Sequence, residues 1–252
     1  MRAGRQDVLV ESPSQANYRE LLRRGHAIYP GIRIGRPGKA LTYWITILFM
    51  RILNARWSVS VHGADNVSRG PAILVGNHVD AMDPVVIVMK RWWRVTAFAK
   101  VEVFENPGAI FFRLMGQIPL RRGDEESTKW ALEMASAVLA DGTKLGLYPE
   151  GTRSPDKKSL HKLHRRILIP VLTENPGIPV HSITTIYGEK KFGRRKVSVK
   201  LSPPLPIDAS SMSADHIVDA IKNSLLESGG MAYVDAYARD VKSRGTSALE
   251  PQ

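Results

Sequence analysis

The chain contains no cysteine. Disulfides, thiolate metal sites and a cysteine nucleophile are therefore excluded, and a covalent intermediate would need Ser, Thr or Lys. Acidic residues are also scarce, with 24 Asp and Glu against 36 Lys and Arg, giving a formal net charge of +12. A balance of this sign draws a protein towards polyanions and leaves nucleic acid and an anionic membrane surface equally open. There is no G-x-G-x-x-G, no Walker-type phosphate loop and no G-x-S-x-G elbow, so dinucleotide binding, nucleotide triphosphate chemistry and the α/β-hydrolase reaction lack their marks. Long apolar runs are missing as well: the best, within 41–50, offers about ten residues where a membrane-spanning helix needs about twenty.

What remains is 252 residues with 43% hydrophobic content, enough for one substantial core, and no break in composition asks for a second folded unit. Residues 1–38 mix Arg2, Arg5, Arg19, Arg23, Arg24, Arg33 and Arg36 with Pro13, Pro30 and Pro37. They read as a basic, mostly irregular arm with one helix around 15–24, and no apolar core of signal-peptide length follows Met1. Residues 39–56 read as an interfacial membrane-anchoring segment. Its apolar helix would lie in one leaflet, with Tyr43, Trp44 and Trp57 at headgroup level and Arg51 and Arg56 reaching anionic phosphates. An ordinary core helix is the alternative.

Residues 57–228 then alternate strand and helix signals. Half-exposed or buried strands are expected at 57–62, 72–76, 96–100, 145–148, 179–187 and 197–201. Helices are expected after Pro84, at 108–114, from Asp124 to Asp141-Gly142 and at 214–227. This alternation predicts a layered α/β domain with a central mixed, largely parallel sheet and helices on both faces, plus the N-terminal membrane-associating helical segment. The basic run from Lys157 to Arg166 is expected to be a solvated or phosphate-facing surface, and 229–252 a C-terminal tail.

Three stretches carry chemistry. Asn77-His78-Val79-Asp80-Ala81-Met82-Asp83-Pro84 follows the apolar run at 72–75. It sets a carboxylate five residues after a histidine, supplying a general base and a group to orient it. The same Asp-Pro pair also suits a helix N-cap and first helical position. Gly116-Gln117-Ile118-Pro119-Leu120-Arg121-Arg122 ends in fixed cations, and Leu147-Tyr148-Pro149-Glu150-Gly151-Thr152-Arg153-Ser154 places a carboxylate and a guanidinium about a glycine turn.

In that order the three motifs resemble the glycerolipid acyltransferase family of the lysophosphatidic acid (1-acylglycerol-3-phosphate) type, over residues 57–207. The resemblance implies an acyltransferase in which His78 deprotonates the acceptor hydroxyl and Asp83 orients it. Arg122 would bind the acceptor phosphate, and Glu150, Gly151, Thr152 and Arg153 would shape the acceptor or donor pocket. Acyl-CoA or acyl-carrier protein would be the donor substrate and a lysophospholipid the acceptor. No cofactor, metal or nucleic acid is implied. The expected place is an anionic membrane surface at the cytoplasmic face of the cell membrane, held peripherally or monotopically. The chain departs from the family where a Phe-Lys-x-Gly segment usually follows the third motif. Leu163, His164, Arg165 and Arg166 stand there, which leaves another lipid or a glycolipid open as acceptor. A non-catalytic basic module binding membranes or nucleic acid would account for the charge but not for the three motifs.

Overall fold

The computed structural model describes residues 13–37, 40–91, 93–106 and 108–247. In chain order these form α1 (Pro13–Ile28), α2 (Ala40–Leu53), β1 (Trp57–His62), β2 (Ala72–Gly76), α3 (Asp83–Lys90), β3 (Val95–Lys100), α4 (Ala109–Leu114) and β4 (Ile118–Leu120). They continue with α5 (Glu125–Ala140), β5 (Lys144–Leu147), β6 (Leu160–His161), α6 (Arg165–Glu174), β7 (Val180–Lys191), β8 (Arg194–Leu201), α7 (Ala214–Gly229), β9 (Tyr233–Val234) and α8 (Ala238–Ser247).

Seven strands make one sheet in the order β1-β8-β7-β2-β5-β3-β4. Every neighbouring pair is parallel except the β7–β8 hairpin. β2 is buried along its whole length, as a parallel strand covered on both faces must be. Its side chains alternate between two cores. Ile73 and Val75 join Trp130 of α5, Leu168 of α6 and Ile217 of α7 on one face. Ala72 and Leu74 join Tyr43 and Ile47 of α2 and Val86 to Met89 of α3 on the other. The expected layered α/β architecture is therefore present, and the Asp-Pro start does open a buried helix in spite of its β-branched residues.

The two ends of the chain differ from expectation. The arm is not mostly irregular where described: α1 extends the expected helix by several residues, and Tyr18, Leu21 and Tyr29 belong to the main core. The Trp130 indole N–H donates to the Leu21 carbonyl at 2.7 Å, and Tyr29 meets the Trp130 ring edge-on at 5.6 Å. Apolar residues at helical spacing, Tyr18, Leu21 and Leu22, were hidden among arginines; Gly25 is the spot where any Cβ would collide with Trp130. Likewise 229–252 is no loose tail throughout, since β9 pairs with β6 and α8 follows it. The remaining residues of both ends lie outside the described set.

In α2, Tyr43 is not a headgroup-level aromatic. It is buried, and its hydroxyl accepts from the Val95 N–H at 3.0 Å. Trp57 likewise packs edge-on against Tyr187. The exposed side of the helix is Leu41, Ile45, Leu48, Phe49, Ile52 and Leu53. Among the described residues no helix is long and apolar enough to cross a membrane.

Candidate active site

Because β2 and β5 are parallel neighbours, the loops leaving their carboxyl ends are adjacent, the place where open α/β sheets put ligands. The β2 loop brings His78 and the β5 loop brings Glu150. β4, at the sheet edge, sends Arg122 towards the same end.

His78 Nδ1 lies 2.8 Å from Asp83 Oδ2. A carboxylate only accepts, so Nδ1 carries the proton and Nε2, facing away from Asp83, is left with a free lone pair. The imidazole is 21% exposed while the Asp83 side chain is fully buried. Burying a carboxylate requires donors, and four converge on it. Besides His78, the Val79 and Asp80 N–H groups donate to Oδ2 at 2.7 and 2.9 Å, and the Tyr187 hydroxyl donates to Oδ1 at 2.7 Å. Asp83 therefore turns back into its own loop and does not cap α3, whose first turn has no side-chain cap. Burial, with Asp83 alongside, drives the Tyr187 phenol far above its ordinary range, which keeps it a donor.

The loop is pinned on every side. Asn77 exchanges both amide hydrogen bonds with the Thr185 backbone on β7, at 3.0 and 2.8 Å. Asp80 accepts from Arg195 of β8 at 2.9 Å, and that guanidinium lies 4.2 Å above the Tyr187 ring. The His78 carbonyl accepts from Ser154 N–H at 2.7 Å, and the ring rests 5.0 Å from that of Tyr148.

Glu150 occupies a different place from the one expected. It is 1% exposed, and its two oxygens accept from the backbone N–H groups of His78, at 2.7 Å, and His161, at 3.0 Å. It thus faces the protein and clamps the histidine loop to β6 from behind. Burial raises its carboxyl to about 7, against the pull of those two N–H groups and with the added repulsion of Asp83 and Asp156. His161 Nδ1 sits 3.5 Å from Glu150 and has no hydrogen-bond partner. Lys157, Lys158, Arg165 and Arg166 are exposed, as expected for a solvated run, while His161 and Leu163 between them are buried. Lys162 and Arg165 of the same run are taken up by Asp235 and Asp215.

Arg122 is exposed and donates to the Gly151 carbonyl, joining the second motif to the third. Gly151 has φ 70, and a Cβ there would sit 3.0 Å from the His164 ring, so both conformation and space demand glycine. Thr152 is half-buried, Arg153 is exposed, and both lead into Ser154. His164 stacks on Tyr237 at 4.1 Å with ring planes 2° apart. Burial, then the Arg122 charge, lowers its pKa and favours the neutral ring. Among the described residues no group of three His, Asp or Glu could hold a metal ion. Clefts beside Leu172 and Ile207, and beside His62 and Lys200, contain none of these residues.

The sequence model of the acyltransferase family matches residues 58–184, a span that holds all three motifs. The chain belongs to the acyltransferase family. Curated relatives include a 1-acyl-sn-glycerol-3-phosphate acyltransferase of Borreliella burgdorferi, 31% identical over 98 residues, which cover 38% of this chain and 39% of that one. Another is LPAT1, a chloroplastic 1-acyl-sn-glycerol-3-phosphate acyltransferase of Arabidopsis thaliana, 28% identical over 40% of this chain and 29% of that one. The match thus spans less than half the length of either relative. The crystal structure of PlsC, the 1-acyl-sn-glycerophosphate (LPA) acyltransferase of Thermotoga maritima, shares the fold, with a TM-score of 0.56. It is 19% identical, covering 86% of this chain and 96% of that one.

Within this member of the acyltransferase family the His78 and Asp83 pair and the Arg122–Gly151 link join residues already evident in the motifs. Tyr187, Arg195 and Tyr237 were not evident, and all three lie beyond the family match. Nothing local marks Arg195 or Tyr237.

Proposed function

We propose that this acyltransferase moves a fatty acyl group from acyl-CoA or acyl-carrier protein to the hydroxyl of a lysophospholipid, 1-acylglycerol-3-phosphate, giving phosphatidic acid. The observation that carries the reading is the His78–Asp83 pair: a partly exposed imidazole held in one tautomer by a fully buried carboxylate with four donors. Nε2 takes the hydroxyl proton as the acceptor oxygen attacks the thioester carbonyl. The tetrahedral adduct then collapses, the C–S bond breaks, and the imidazolium returns its proton to the departing thiolate. No acyl-enzyme is required. Arg122, tethered through Gly151 beside the loop, is the proposed ligand of the acceptor phosphate, a role its forked, fixed charge suits. Thr152 and Arg153 line the same approach. Glu150 acts indirectly, by seating His78.

An acceptor of this kind resides in a bilayer, and the exposed apolar side of α2 supports membrane contact at an anionic surface. Phe49 of that side stacks on Phe111 of α4 at 5.6 Å, and Ile110 beside it is exposed. Such a strip suits a monotopic protein resting in one leaflet. The test is to incubate purified protein with one long-chain acyl-CoA and a panel of lysolipids and read products by mass. Phosphatidic acid formed by wild type and not by His78→Ala supports the proposal. Product from a non-phosphorylated lysolipid alone would reassign the acceptor, and product that survives His78→Ala would remove the base.

A further inference from the structure

The β7–β8 hairpin runs past the sheet into solvent. Its turn is made by Phe192 at φ 49 and Gly193 at φ 73. A left-handed position suits glycine or asparagine and disfavours a bulky ring, yet phenylalanine stands there and is 92% exposed. Neither packing nor turn geometry accounts for it. Around it Lys190, Lys191, Arg194 and Lys196 are all exposed, and one carboxylate, Glu189, pairs with Lys191 at 3.1 Å. Arg56 lies against the turn, since a Cβ at Gly193 would stand 3.6 Å from its guanidinium. That contact sets the tip beside the carboxyl end of α2, where Ile52 and Leu53 are exposed.

An apolar ring among cations, continuous with an exposed apolar helix end, has the chemistry of an anionic bilayer contact. We infer that the hairpin tip is a second membrane anchor. Phe192 enters the interface, while Lys190, Lys191, Arg194 and Arg56 meet headgroup phosphates. This goes beyond the α2 contact proposed above and rests on it only for the neighbouring surface. It also has a functional corollary, because the same hairpin carries Tyr187 and Arg195, which hold Asp83 and Asp80. Two anchors, α2 and the hairpin, fix the tilt of the histidine loop relative to the lipid plane, which one anchor cannot.

The absence of cysteine makes the test clean. Phe192→Cys, Leu48→Cys on α2 and Glu174→Cys at the end of α6, before the start of β7, are each labelled with an environment-sensitive fluorophore. Each is then mixed with vesicles of phosphatidylcholine, with or without phosphatidylglycerol, some carrying nitroxide-quencher lipids. The expected result is blue-shifted, quenched emission at 192 and 48 and none at 174. In the unlabelled chain, Lys190→Gln, Lys191→Gln and Arg194→Gln together lower partitioning onto anionic vesicles by roughly fivefold per cation and leave neutral vesicles unaffected. Acyl transfer to a detergent-dispersed acceptor, followed in parallel, stays at the wild-type rate in these tip variants.

A signal at 48 alone overturns the hairpin anchor and leaves α2 standing. No signal at either removes membrane contact altogether, the tip included. A change at 192 that tracks protein concentration without lipid makes the tip a self-association surface instead. Loss of acyl transfer in the tip variants with vesicle binding intact would show that the tip supports the site and not the membrane.

Discussion

At the scale of single residues, the imidazole and its carboxylate separate cleanly by what each substitution costs. His78→Ala removes a partly exposed side chain, so turnover should fall by about 10²- to 10⁴-fold, the usual contribution of a general base, with the melting temperature nearly unchanged. Asp83→Asn should damage both rate and fold. Its amide meets four donors with one acceptor, and unpaired buried donors cost about 1–3 kcal/mol each. Calorimetry beside steady-state kinetics distinguishes the two patterns. Tyr187→Phe leaves Oδ1 without a partner; kcat should drop while the acceptor KM holds, and an effect confined to KM would refute the positioning role. Arg122→Ala should raise the KM of a phosphorylated acceptor tenfold to more than a hundredfold, from about 1.5–3 kcal/mol for a charge-assisted pair. The donor KM should stay put. The histidine, its carboxylate and this arginine were legible because motif order reveals them and the His–Asp geometry is local. Glu150's inward placement and Tyr187 were not, because their contacts join residues 72 and 104 positions apart, and sequence spacing says nothing at that range.

At the scale of elements, α1 and the C-terminal segment change which experiments are meaningful. Removing 1–56 strips Tyr18, Leu21 and Tyr29 from the core, so such a truncation should aggregate and cannot report on membrane binding. Ile45→Ser, Leu48→Ser and Ile52→Ser instead alter only the exposed side of α2. Together they should abolish flotation with vesicles at an unchanged melting temperature, and flotation that persists would locate the lipid contact elsewhere. Strands and interior helices were readable because alternation and apolar runs are period signals. α1 was not, since its arginines outweigh a three-residue apolar stripe, and Arg24 resolves its own excess charge through Glu133 of α5 at 2.5 Å. The 233–247 segment was read as a tail because one stacked ring, Tyr237 on His164, and a two-residue strand leave no period to read.

At the scale of the whole molecule, the buried Glu150 couples folding to pH. Its carboxyl titrates near its ordinary value of 4.5 when unfolded and near 7 when folded, so between those values the native state holds a proton that the unfolded chain has released. Stability from this group therefore falls as pH rises through the window and is level above it. Glu150→Gln should remove that slope while losing one hydrogen bond, about 1 kcal/mol, at every pH. Melting temperatures at pH 5 and pH 8 for both proteins decide it: an equal slope in the variant would assign the dependence to another group. The sheet order has its own consequence for how the molecule is made. β2, the strand that ends at the histidine, has both its neighbours, β5 and β7, still to come when it leaves the ribosome, and β1 waits longer for β8. α2 emerges before any of these partners, with its apolar side bare. The nascent chain can therefore meet a lipid surface before it has a sheet, and the Asp83 that holds His78 gains its last donor only once Tyr187 has been synthesised.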